Sequence, residues 1–132
     1  MNGTDYLLDT NFILGLLKSS PDALALINER HIGVQQCAYS AITRMELLGF
    51  PGITPAEESL IQEKLARLLY LPITAAVEDT AIHLRRTRRV KLPDAIVAAS
   101  ALDAGAELLS FDRRLQGVVA DELISRAGNS VR

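Results

Sequence analysis

Four carboxylates, Asp9, Glu46, Asp94 and Asp112, stand at positions where the surrounding pattern asks for other residue types. Asp9 closes the short apolar run Tyr6-Leu7-Leu8, a segment suited to a buried strand. Asp112 follows Leu108-Leu109-Ser110-Phe111 in the same way. Asp94 opens the almost wholly apolar segment Ala95 to Leu102. Glu46 falls on the stripe Ile42, Met45, Glu46, Gly49, so it is expected in or beside the core-facing side of a helix. Each acid also has an ordinary reading. Asp9 and Asp94 suit helix starts, Asp112 suits a turn, and Glu46 can pair with Arg44. Taken together they open another. Four carboxylates on one rim would repel and raise one another's pKa, and a divalent cation removes that conflict. Ligation by oxygen alone selects hard ions, Mg²⁺ or Mn²⁺, which keep open positions for phosphate oxygens. The chemistry such an ion supports is hydrolysis by a bound water of lowered pKa.

These acids are far apart in the chain, so the elements between them must bring them together. Apolar runs at 6–8, 34–39, 71–74 and 107–111 read as strands. Helical spacing begins near Asn11 and again at Ser20-Pro21-Asp22, and it runs to about Arg30. Ser40 is expected to cap a helix to about Leu48. Thr54-Pro55-Ala56-Glu57 is a capping box that opens a helix to about Leu69. Further helices are expected from Ala75 to about Arg89 and from Leu92-Pro93-Asp94 to a stop at Gly105. A short turn or helix is expected before Val118-Val119. Strands alternating with helices give an α/β fold, a parallel sheet with helices on both faces. Asp9 and Asp112 would leave parallel strands at their carboxyl ends, where ligands bind in open α/β sheets.

Composition sets further bounds. With 132 residues, 48% hydrophobic and 23% charged, the chain suits a single ordinary domain, 1–132. One cysteine, Cys37, permits no intrachain disulfide, and two histidines, His31 and His83, are too few for a Cys/His zinc site. No segment approaches the roughly 20 apolar residues of a membrane span. The amino-terminal run lacks a basic flank and is interrupted by Asp9 and Asn11, so a cytoplasmic protein is expected. A net charge of -2 does not itself suggest a nucleic-acid partner. Arg85, Arg86, Arg88, Arg89 and Lys91 nonetheless concentrate five positive charges in seven residues directly before Asp94. The cluster reads either as a solvated helix end or as a holder of RNA phosphates. Arg113 and Arg114 read equally as phosphate contacts or as a surface turn. Phe50-Pro51-Gly52-Ile53, with the helix from Pro55, is a candidate groove for a partner helix or a dimer face.

In this order, Leu7-Leu8-Asp9-Thr10-Asn11, Thr43-Arg44-Met45-Glu46-Leu47-Leu48, Leu92-Pro93-Asp94-Ala95-Ile96-Val97-Ala98-Ala99 and Leu108-Leu109-Ser110-Phe111-Asp112 resemble the PIN-domain family. Within it the similarity is to VapC-type toxins of bacterial toxin–antitoxin pairs, and it covers nearly the whole chain. The resemblance implies a three-layer sandwich with a short, mostly parallel sheet. It implies an endoribonuclease dependent on Mg²⁺ or Mn²⁺, a homodimer, and inhibition by a cognate VapB-like antitoxin. Asp9, Glu46, Asp94 and Asp112 match the acidic quartet. Asn11 matches the asparagine of the first motif, and Ser110 stands where the family often has threonine. The expected roles are direct metal ligation by Asp9 and Asp94, with Glu46 and Asp112 completing the site directly or through water. Thr10, Asn11 and Ser110 would support them by hydrogen bonding. Two rivals are weighed: a non-catalytic PIN-like RNA- or protein-binding module, and another Mg²⁺-dependent phosphohydrolase. A dehalogenase-like phosphatase wants a second Asp where Asn11 stands, and no glycine-rich phosphate loop follows the first strand.

Overall fold

The computed structural model describes residues 5–130. Its strands are β1 (Tyr6–Leu8), β2 (Cys37–Ser40), β3 (Leu69–Leu71) and β4 (Glu107–Leu109). Its helices are α1 (Thr10–Leu17), α2 (Pro21–Glu29), α3 (Ala41–Leu48), α4 (Pro55–Leu65), α5 (Ala75–Arg88), α6 (Leu92–Ala104) and α7 (Arg113–Ser130). The sheet runs β3-β2-β1-β4 with every pairing parallel. The chain steps outward from β1 to β3, then crosses back to lay β4 on the other side of β1. The order therefore reverses between β1 and β4, which is where open α/β sheets hold ligands.

Adjacent strand residues point to opposite faces, and this divides the core in two. Leu7 and Leu108 pack with Val77, Ala81 and Leu84 of α5, the small residues of α6, and Leu115, Val118 and Val119 of α7. Leu8 and Leu109 pack on the other face with Phe12, Ile13, Ala23, Leu47 and Leu65. The result is the expected three-layer α/β sandwich. Truncating a fully buried leucine such as Leu7 costs about 2–5 kcal/mol in cores of this kind. Helix α6 lies deepest: Ala95, Val97, Ala98, Ala99, Ser100, Ala101 and Leu102 are all buried. Gly105 ends it at φ 67°, a left-handed conformation that glycine adopts without strain. Among the described residues no helix is long and apolar enough to cross a membrane.

Several boundaries differ from expectation, each for a physical reason. Val34–Gln36 is a 3₁₀ turn, in which the Gln36 Oε1 accepts from the Gly33 N–H at 2.7 Å, and strand pairing begins at Cys37. Helix α4 stops at Leu65, and β3 is Leu69–Leu71 rather than 71–74. Register with β2 (Ala38 opposite Leu69, Ser40 opposite Leu71) fixes that strand. Pro72, which has no N–H to give a ladder, ends it. Val118-Val119 belongs to the long helix α7, since Leu115, Val118 and Val119 recur at helical spacing against the core. Ser20 precedes α2 as expected but makes no side-chain cap.

Candidate active site

Asp9 ends β1, and its carboxylate accepts from the Phe12 N–H at 2.9 Å. Asp112 starts α7 in the same manner, accepting from the Leu115 N–H at 3.1 Å. The helix-cap reading of Asp9 is thus correct in detail, and Asp112, expected in a turn, is a helix cap as well. Capping also points each carboxylate at the rim where the sheet order reverses. The Asp9 N–H donates to the Leu109 carbonyl at 3.2 Å, tying the two strand ends together. Phe111 then turns the chain. Its ring rests on Phe12 with centroids 5.3 Å apart, and a Cβ on Gly15 would lie 3.2 Å from it. The bare backbone at Gly15 therefore lets Phe111 settle over α1 and leaves Asp112 at the rim.

Asp94 sits in the first turn of α6, after Lys91 at the cap position. Glu46 lies on α3, but not on its buried stripe. The buried residues there are Ala41, Thr43 and Leu47, and Glu46 is exposed. This corrects the expected stripe through Ile42, Met45, Glu46 and Gly49: the helix is rotated so that Thr43 and Leu47 enter the core. Rotation turns Glu46 toward a cavity of about 470 Å³. Asp9, Thr10, Asn11, Glu46 and Asp94 line it together with Lys18, Glu57 and the apolar side chains of Leu14, Ile42, Leu47, Phe50, Ile53, Ile61 and Val97.

Three of the four acids therefore share one cavity, and Asp112 lies outside its lining. Burial, foremost, raises the Asp9 pKa, and the negative charges of Asp112 and Asp94 add to it, against hydrogen bonds from Ser110 and Phe12. The Asp94 pKa is also raised, first by burial, then by Asp112 and Glu46, with Lys91 and Arg114 pulling the other way. Among the described residues none of the four acids is in an ion pair. No group of three or more His, Cys, Asp or Glu side chains among them is gathered closely enough to hold a metal. The side chains as placed thus do not form the shared four-carboxylate ligand set expected from the sequence. Their donors suit a looser hold: Mg²⁺ is commonly bound through one or two carboxylates, with water and phosphate oxygens as the rest. Half-buried acids of raised pKa that feel one another's charge have the chemistry such an ion stabilises.

Ser110 links two of the acids. It is 5% exposed, its oxygen accepts from the Asp112 N–H at 2.9 Å, and its hydroxyl favours the ionised Asp9 carboxylate, holding that pKa down against burial. Thr10 donates to Glu46 Oε1 at 2.5 Å. Asn11 lines the cavity without a hydrogen bond to any of the acids. Sequence reasoning did not single out Thr43, whose hydroxyl lies 3.1 Å from that of Thr10. A polar residue three positions after the Ser40 cap was the available signal.

The basic cluster is dispersed by its helix. Arg85 lines a separate shallow cavity with Ile73, Ile82 and Leu92. Arg88 is engaged with Asp121 at 3.7 Å and Glu122 at 3.4 Å. Arg86 is exposed, and Arg89 is exposed with φ 55° at the end of α5. Of the five, Lys91 is the one whose charge reaches Asp94, joined there by Arg114. Arg114 is steadied by donating to the Arg88 carbonyl at 2.8 Å. Burial pushes the Cys37 thiol up to about 11, so it is no ready nucleophile.

The model of the PIN domain family matches residues 6–121. No curated protein matches the chain. Among solved structures, a toxin–antitoxin complex from Klebsiella pneumoniae is similar at 26% identity and a TM-score of 0.70, covering 80% of this chain and 85% of the other. FitAcB from Neisseria gonorrhoeae is similar at 22% identity and a TM-score of 0.67, covering 87% and 93%. VapBC2 from Rickettsia felis, bound to a DNA fragment from its promoter, is similar at 21% identity and 0.63, covering 80% and 85%. With its sheet order, its acids on the carboxyl rim and a family match over most of its length, the chain belongs to the PIN domain family.

Proposed function

We propose that this chain is an endoribonuclease dependent on Mg²⁺ or Mn²⁺, the toxin of a toxin–antitoxin pair. The observation that carries the reading is the cavity at the β1/β4 reversal. Asp9, Glu46 and Asp94 line it with no ion pair, and Asp112 adds its charge from the rim. Asp9 and Asp94 would hold the ion. Glu46 and Asp112 would meet it through water and orient the attacking water. When bound, the ion supplies a water of lowered pKa and neutralises charge on the phosphate. Ser110 fixes the Asp9 carboxylate, and Thr10 fixes Glu46. Lys91 and Arg114 set positive charge beside acids that would otherwise repel the RNA backbone. Arg85, Arg86 and Arg89, all exposed, serve RNA bound beyond the scissile phosphate, whereas Arg88 is held by Asp121 and Glu122.

The apolar residues of the cavity lining, with Phe50 at 67% exposure, suit an amphipathic antitoxin segment. Solved structures similar to this chain include toxin–antitoxin assemblies, which supports a cognate VapB-like partner. A homodimer acting in the cytoplasm completes the proposal.

A non-catalytic binding module is favoured by one observation, the lack of a three-carboxylate metal group among the described residues. One assay separates the two readings. The purified chain is incubated with a mixed RNA pool and Mg²⁺, with and without EDTA. Cleavage that EDTA abolishes and Asp9→Asn lacks supports the nuclease. RNA binding without cleavage establishes the binding module.

A further inference from the structure

We infer that Thr43, a buried residue that does not line the cavity, is a positioning residue that aims the Glu46 carboxylate through Thr10. The inference rests on the nuclease reading for its effect on rate, and on geometry alone for its effect on Glu46.

Glu46 is exposed on α3, and an exposed glutamate ordinarily samples several rotamers. Here Thr10 Oγ1 donates to Glu46 Oε1 at 2.5 Å, from another helix and 36 residues away in the chain. A threonine hydroxyl has a single hydrogen. Once Thr10 gives it to Glu46, the 3.1 Å contact between the Thr10 and Thr43 hydroxyls must use the Thr43 hydrogen. Thr43 thus points its proton toward Thr10, and Thr10 points its own toward Glu46. The two bonds polarise each other in one direction, toward the carboxylate.

The anchor of this relay is rigid. Thr43 and Ser40 are fully buried. The Thr43 N–H donates to Ser40 Oγ at 3.3 Å, which is also the cap of α3. The Ser40 and Thr43 hydroxyl oxygens are 3.5 Å apart, a long contact that closes the group. A threonine inside a helix often turns its hydroxyl back to its own backbone. Thr43 instead bridges α3 to α1, the two helices that carry Glu46 and follow Asp9. The relay therefore fixes Glu46 relative to the strand end that bears Asp9.

The test compares the parent chain with Thr43→Val, which keeps the shape and removes the hydroxyl, and with Thr43→Ser, which restores it. Side-chain ¹³C relaxation at Glu46 in the metal-free protein should show an ordered Cγ in the parent and in Thr43→Ser, and a mobile one in Thr43→Val. RNA cleavage by Thr43→Val should fall about ten- to a hundredfold in kcat with KM unchanged, the usual cost of losing a supporting hydrogen bond. Thr43→Ser should recover it. In a Glu46→Gln background, adding Thr43→Val should cause little further loss. If Thr43→Val does not fold, Thr10→Val breaks the same relay one step nearer the carboxylate and must free Glu46 likewise. A Glu46 side chain equally ordered with and without the hydroxyl overturns the inference, as does full cleavage by Thr43→Val. A parent chain that cuts no RNA refutes the nuclease reading instead, and the relaxation comparison then decides the positioning claim.

Discussion

The acidic and basic regions of this molecule invert what their sequence spacing suggests. The four acids are spread over 104 positions, yet three share a cavity and the charge of the fourth reaches two of them, Asp9 and Asp94. The five bases occupy seven consecutive positions, yet the fold sends Arg85 to another cavity, Arg88 into ion pairs with α7, and Lys91 toward Asp94. A parallel sheet explains the first result. Strands β1 and β4 deliver Asp9 and Asp112 to one rim, and helices α3 and α6, packed beside it, bring Glu46 and Asp94 there, whatever the distance along the chain. The second follows from where α5 ends: Arg85 and Arg86 turn away from each other by about 100° on the helix, Arg88 meets α7, and the left-handed Arg89 ends α5 so that Lys91 caps α6 beside Asp94. Closeness in sequence is poor evidence of a shared site on a helix, and a strand's end is good evidence on a sheet.

The largest expected effect probes the acids. Asp94→Asn and Asp9→Asn should each lower Mg²⁺-dependent RNA cleavage by roughly a hundredfold or more, since metal catalysis contributes several kcal/mol. Asparagine caps a helix about as well as aspartate. Asp9→Asn should therefore keep its bond from Phe12 and melt within about 0.5 kcal/mol of the parent. A matching loss of stability would mean that Asp9 acts as a cap alone.

The second effect concerns pH. Folding raises the pKa of Asp9 and Asp94 above 3.8, so between that value and their folded pKa the native state binds more protons than the unfolded one. Their contribution to stability is then present at low pH and declines as pH rises through that window. Without metal, thermal melts should show this decline, and Asp9→Asn should flatten it. Added Mg²⁺ should raise the melting temperature more at pH 7 than at pH 4. An equal shift at both would detach the ion from these acids.

The third tests the dispersal of the bases. Lys91→Ala or Arg114→Ala should each reduce the salt slope of RNA binding by about one, and Arg85→Ala should change it less. Equal slopes for all three would restore the cluster as a unit. Smallest of all, Arg88→Ala should cost about 0.5–1 kcal/mol in a denaturant melt, the range for partly exposed ion pairs with Asp121 and Glu122.

Much of this was legible in the sequence because the signals were local. The Thr54–Glu57 capping box, the Gly105 stop and the strand-end positions of Asp9 and Asp112 each follow from a few neighbouring residues. What escaped depends on contacts across the chain. The face α3 buries is chosen by its neighbours, so the stripe through Glu46 was placed one step out of phase and Thr43 was passed over. Strand β3 is located by register with β2 rather than by its own pattern. The length of α7 was hidden: only a short turn or helix was expected before Val118-Val119, because nothing local shows that Leu115 shares their face.

The central claim is that acids remote in sequence hold one divalent ion that enables RNA cleavage. The most direct measurement is the rate of RNA cleavage as a function of Mn²⁺ concentration for the parent chain and for Asp94→Asn. We expect a saturable rise for the parent and, for the variant, a curve displaced to far higher Mn²⁺ or absent altogether. Superimposable curves, or cleavage by the parent that persists in EDTA, would contradict it.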